Sequence, residues 1–277
     1  MPVESDSVSL SRDVSLHKVD RLLLPYHLIK EVPNLPSYIF KLRKLGVKEI
    51  MLDSGAAQFI YHIQAKHLTV RDAIKWQESY INFLKTYHPL FDYVVEFDVG
   101  KYGWELVDYY SNKIRNIVSP EKFIQVWHYD RGNLKEFVMG KPNIGIGGLA
   151  NKSINKKLMF DIISILNYIN TLPTKPKLVH VFGVTNPTLL HVLVSKTSEW
   201  NFELSTDSTS WQKFPSFGAL LVPYKQQLKS LSREKQVEEY SKDFGILTSE
   251  YLSFIDSHQY VKWVKRLVGE KDEGENS

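Results

Sequence analysis

Seven short runs, most of them apolar at consecutive positions, recur along this chain, with longer helix-like stretches between most of them. The runs are RLLLPY (21–26), KEIMLD (48–53), DYVVEFD (92–98), FIQVWH (123–128), NIGIGG (143–148), KLVHVFG (177–183) and NFELSTD (201–207). A strand with one wet face alternates polar and apolar residues. A strand covered on both faces does not, and such strands belong to parallel sheets. The intervening segments 36–46, 69–87, 103–118, 151–170 and 186–198 carry helix signals, among them a Thr cap at 69 and a stop before Ser119-Pro120. Strand then helix, repeated, predicts a parallel α/β fold, read here as a (β/α)8 TIM barrel. The eighth strand is either FGALLVP (217–223) or a piece of the N-terminal stretch. An open doubly wound sheet is the competing architecture.

With 277 residues and no internal shift in composition, the chain reads as one domain. Residues 1–20 form a polar N-terminal segment, 21–268 the barrel with a closing helical stretch at 252–268, and 269–277 a charged tail expected to be disordered. The polar start MPVESDSVSLSRDVSLHK lacks a signal-peptide core, and no apolar run approaches the ~18 residues of a membrane span. A cytoplasmic protein without membrane association is expected. The absence of cysteine excludes disulfides and thiolate metal sites. His62 and His67 are spaced poorly for one helical face, so no metal is expected. The formal charge of +4 permits a polyanionic partner without requiring one.

Functional residues of parallel α/β folds gather at the C-terminal ends of the strands. Here that rule selects Asp53, Asp98, His128, Gly147, Gly148, Phe182, Gly183 and Asp207. Three carboxylates converging on one cavity suit chemistry at an anomeric carbon, one attacking and another handling the proton. Each has a plainer reading as well. An Asp after a strand often caps a helix or forms a turn, a Gly-Gly serves a tight bend, and Trp127 or Phe182 fills a core.

Taken together, the motifs resemble the tRNA-guanine transglycosylase superfamily over roughly residues 21–224, and within it the zinc-free, DNA-modifying branch of phages and some bacteria. Asp53-Ser54-Gly55-Ala56-Ala57-Gln58 is similar to the signature holding the family's acid/base Asp. Glu96-Phe97-Asp98 resembles its base-holding element, Gly145-Ile146-Gly147-Gly148-Leu149-Ala150 its Gly-Gly-Leu-Ala turn, and His180-Val181-Phe182-Gly183-Val184 its Met-Gly-Val element. Ser205-Thr206-Asp207-Ser208-Thr209 falls at the nucleophile.

The resemblance therefore implies a pentosyltransferase with Asp207 as nucleophile and Asp53 as acid/base. The implied base contacts are Ser54, Gln58, Asp98, Gly147, Gly148, Leu149, Ala150 and Phe182, with either Gln125 or His128 as base reader. Guanine flipped out of DNA would leave, and a free 7-deazaguanine base such as 7-cyano-7-deazaguanine would enter, with no cofactor. Lys101, Lys152 and Lys213 are the candidate phosphate contacts, each also readable as solvated surface.

Several positions depart from the family. Ala57 replaces a stacking aromatic, and Asn151-Lys152-Ser153 replaces Val-Gly-Glu. The Pro-Thr-Arg stretch and the zinc subdomain, both engaging tRNA, are missing, which favours DNA over tRNA as partner. Competing readings are a tRNA-acting enzyme of the same chemistry, a barrel that binds nucleic acid or deazaguanine without turnover, and an unrelated barrel glycosidase. Oligomeric state is open in the sequence, and the tRNA enzymes of the family often pair as homodimers.

Overall fold

The computed structural model describes residues 20–61, 67–149, 156–184, 187–207, 220–224 and 227–231. The chain divides into two compact units. The first comprises Met1–Ala150, Tyr168–Phe182 and Asn201–Ser205, and the second Asn151–Asn167, Gly183–Trp200 and Thr206–Ser277.

The seven expected strands form one sheet in chain order: β1 (Arg21–Pro25), β2 (Glu49–Asp53), β3 (Tyr93–Val95), β4 (Phe123–Trp127), β5 (Asn143–Ile146), β6 (Leu178–Val181) and β7 (Glu203–Thr206). Pairing is parallel from β1 through β6, with Leu23 opposite Met51 and Gly145 opposite His180. The Glu203 amide donates to Lys177 O at 2.8 Å, which ties the start of β7 to the start of β6.

Helices follow the strands: α1 (Tyr26–Ile29) and α2 (Leu35–Lys44) after β1, then α3 (Ala56–Tyr61) and α4 (Val70–Tyr87) after β2. α5 (Trp104–Arg115), α6 (Leu134–Val138), α7 (Lys156–Thr171) and α8 (Pro187–Lys196) complete the set. Thr69 caps α4 as the sequence implies. Its hydroxyl accepts from the Asp72 amide, while the Asp72 carboxylate accepts from the Thr69 amide at 2.9 Å.

Adjacent strand residues face opposite ways, and from β2 to β6 both faces of the sheet are dry. Ile50, Leu52, Val94 and Phe123 pack outward on Ile39 and Leu42 of α2, Tyr80 and Leu84 of α4 and Ile114 of α5. Met51, Val95, Ile124, Val126 and Leu178 meet on the other face with Leu23, Tyr93 and Phe182. One inner cluster drawing on β1 to β4 and β6 requires a curled sheet. A further sign of curl is that Arg21, opening β1, reaches Glu203, opening β7, at 2.5 Å, as well as Glu49 at 2.8 Å. These side chains are largely exposed, so they mark the geometry and add little stability. The architecture is α/β, a curled parallel seven-strand half-barrel.

One of the two candidates for an eighth barrel strand, 217–223, is corrected. Residues Leu220–Tyr224 form a strand (β8), but it pairs antiparallel with Gln227–Leu231 (β9) in a separate two-stranded sheet. An apolar run records burial and not which partner provides it. The segments 1–19 and 252–268 lie outside the described residues.

The connection from β4 to β5 is unusual. α6 has 5 residues, where α4, α5 and α7 have 18, 12 and 16. A helix that short leaves part of the outer face of β4 without a helical cover. No helix among the described residues is long and apolar enough to cross a membrane.

Candidate active site

The first unit gathers several of the sequence candidates around one imidazole. His128, one residue past β4, lies with Nε2 2.6 Å from Asp98 Oδ2. An ionised carboxylate only accepts, so Nε2 carries the proton of this bond. Trp104 flanks the ring at a centroid distance of 5.1 Å. The indole is seated because Gly100 has no side chain, for a Cβ there would lie 2.2 Å from Trp104 Cζ2.

The glycines after β5 serve the same imidazole. A Cβ on Gly147 would lie 2.4 Å from His128 Nε2 and 2.6 Å from Val126 Cγ1, and one on Gly148 would lie 3.1 Å from His128 Nδ1. Gly148 also has φ +71°, which costs any side-chain-bearing residue. Gly145 meets Phe182 in the same way, its Cβ position being 2.5 Å from Phe182 Cε2. The Gly-Ile-Gly-Gly run is therefore the floor on which two rings lie. The Gly147 amide donates to Trp127 O at 2.9 Å. The amides of Gly148 and Leu149 donate to no partner among the described residues.

Replacing Gly147 with alanine is expected to push His128 off Asp98. Overpacking of this kind costs about 1–3 kcal/mol. Thermal unfolding measures that loss, and the imidazole resonances of His128 report the displacement.

Of the two candidate base readers, only His128 neighbours Asp98. Gln125 is on the outer face of β4, buried, with its Oε1 accepting from Arg115 Nη2 of α5. That placement removes Gln125 from the cluster.

Asp53 ends β2, and its Oδ2 accepts from the Gly55 amide at 3.1 Å, the local turn of the plain reading. It is partly exposed. Burial pushes the Tyr80 phenol well above its ordinary value, and the negative charge of Asp53 adds to that shift. Ser54 is fully buried, and its Oγ has no hydrogen-bond partner among the described residues. Its carbonyl accepts from Trp76 Nε1 at 3.0 Å. Ala57 and Gln58 are exposed on α3. Phe182 meets His180 edge to face at 4.3 Å, and His180 Nδ1 lies 2.8 Å from Ser205 Oγ.

In the second unit, Asp207 follows β7 directly. Its Oδ1 accepts from the Gly183 amide at 2.7 Å. A backbone donor fixes the carboxylate's direction and stabilises its negative charge. Lys101 is exposed, its ammonium 5.3 Å from the Tyr102 ring centroid. Ala150, Lys152 and Lys213 lie outside the described residues.

Sequence reasoning passed over Trp104, Arg131 and Glu96. Glu96 sits inside the motif that drew attention to Asp98, yet points outward. Its carboxylate takes the amide of Val126, the hydroxyl of Ser111 at 2.7 Å and the guanidinium of Arg131. A lone Glu between the apolar residues of Val94-Val95-Glu96-Phe97 was the available signal.

No family model and no curated protein matches this chain. The solved structure of a glycoside hydrolase family 5 protein from Bacteroides vulgatus is similar at a TM-score of 0.48 and 10% identity, over 96% of this chain. This chain spans 64% of that protein's length, and a likeness this distant says nothing about activity.

Proposed function

We propose that this protein is a guanine transglycosylase that exchanges guanine in DNA for a 7-deazaguanine base through a covalent Asp207 intermediate. The observation that carries the reading is the polar edge formed by Asp98, His128 and the amides of Gly148 and Leu149, which have no acceptor among the described residues. Guanine offers donors at its N–H groups and an acceptor at O6. Asp98 retains an oxygen for the donors once His128 has taken the other. The amides of Gly148 and Leu149, beside that imidazole, suit the carbonyl oxygen.

The remaining chemistry needs two carboxylates in different roles. Asp207, held by the Gly183 amide, attacks C1′ as the base departs through an oxocarbenium-like transition state. The glycosyl bond to guanine breaks as the Asp207–C1′ bond forms, and guanine, released as the N9 anion, takes a proton from solvent. Asp53 then takes the proton from N9 of the incoming base, whose nitrogen displaces Asp207. Each bond broken is matched by one formed, so no redox partner is required.

Labelled guanine incubated with the protein and either duplex DNA or tRNA tests the reading. Label is expected in DNA. Label in tRNA alone would move the substrate class, and label in neither would overturn the proposal. Replacing Asp53 with asparagine preserves size and removes the proton acceptor. That variant is expected to form the covalent adduct yet lower exchange by about 10²-fold or more, as general-base loss does. Single-turnover kinetics separates the two steps.

A further inference from the structure

The thinly covered outer face of β4 opens into a groove of about 440 Å³ between α5 and the segment 131–141. Its lining is charged where a barrel's helix layer is normally apolar. Arg115, Arg131 and Lys141 all face it, as do the acids Asp108 and Glu136. Arg131 is neutralised twice, by Glu96 and by Asp108 at 2.5 Å. Its guanidinium also lies between the Trp104 and Phe137 rings, 4.9 and 5.0 Å from their centroids.

Arg115 and Lys141 are in a different condition. Among the described residues neither has a carboxylate within ion-pair distance. Arg115 donates to Asn112 Oδ1 at 3.1 Å and to Gln125, both neutral, and Lys141 donates to Phe137 O. A guanidinium has five N–H donors and an ammonium three, so each keeps donors to spare. Burial, then the two neighbouring guanidinium groups, lower the Lys141 ammonium below its ordinary value. Glu136 is exposed and, among the described residues, has no cation partner.

We infer that this groove is a phosphate-binding site, with Arg115 and Lys141 as the ligating pair and Arg131 as the fixed cation behind them. The volume falls in the range of small-ligand sites. Phosphate is the anion that matches a guanidinium and an ammonium together, taking several N–H donors at once. The phosphate is either a free ion or a link of a nucleic-acid backbone, the same chemistry from two sources. The inference stands apart from the base-exchange reading, since none of its residues belongs to the proposed catalytic machinery.

The test uses the full chain, inorganic phosphate and a hexathymidylate that contains no guanine. Binding is followed by the side-chain NMR signals of arginine and lysine. Arg115→Gln, Lys141→Gln and the double variant are compared with wild type and with Asp207→Ala. The double variant is expected to weaken binding about tenfold or more and, for the oligonucleotide, to lower the salt slope by about 1 to 2. Loss for inorganic phosphate alone identifies a free-ion site, and loss that includes the oligonucleotide identifies a backbone contact. Asp207→Ala should bind both probes as wild type does. The inference is overturned when wild type binds neither probe, or when both single variants and the double bind within twofold of wild type.

Discussion

Replacing Asp207 with alanine is expected to lower base exchange by at least about 10³-fold while leaving the fold intact, because removal of a covalent nucleophile eliminates the intermediate itself. The folding cost should be small. Asp207 is only partly buried and follows β7 directly. Its truncation releases the Gly183 amide to other acceptors. Asp207→Asn is the sharper companion, since it retains the size and the acceptor oxygen but cannot attack. Exchange should fall as far as in the alanine variant. Thermal unfolding of both variants, set beside labelled-guanine incorporation, distinguishes lost chemistry from lost structure.

The largest effect on stability is expected at Arg131. Its side chain and that of Glu96 are 3% and 0% exposed, and the carboxylate is matched by an amide, a hydroxyl and the guanidinium. Arg131→Met leaves a buried negative charge with no cation. Breaking a buried pair from one side costs about 3–5 kcal/mol. For a domain of this size that lowers Tm by on the order of 10 °C. Removing both charges with Glu96→Gln in the same chain should recover part of the loss, because the orphaned charge goes with it. The exposed Arg21–Glu203 pair supplies the contrast. Arg21→Ala is expected to change stability by less than about 1 kcal/mol, even though it joins the first strand to the last.

The repeating layout was readable from residues alone because strands buried on both faces carry a signal that needs no knowledge of their partners. Boundaries moved inward where site chemistry begins. The run NIGIGG ends as a strand at Ile146, since Gly147 and Gly148 yield their space to His128. Which face of a strand points inward was not readable. In Phe123-Ile124-Gln125-Val126-Trp127 both faces are apolar apart from one glutamine, so nothing local assigns Gln125 to the outer layer and leaves His128 beside Asp98. Likewise Glu96 and Asp98 look alike on paper, two acids two residues apart. Only the placement of Arg131, Ser111 and His128 separates a structural carboxylate from a candidate base contact. The groove depends on a helix too short to do its usual covering, and its two cations without a carboxylate among the described residues come from distant positions, 115 and 141.

The most direct measurement is to trap the protein on a guanine-containing duplex, digest it, and locate the attached nucleotide by peptide mass spectrometry. The expected result is a modified peptide containing Asp207, present in wild type and in Asp53→Asn and missing from Asp207→Ala. Attachment at another residue, or exchange that proceeds with no attachment at all, would contradict a double displacement through that carboxylate.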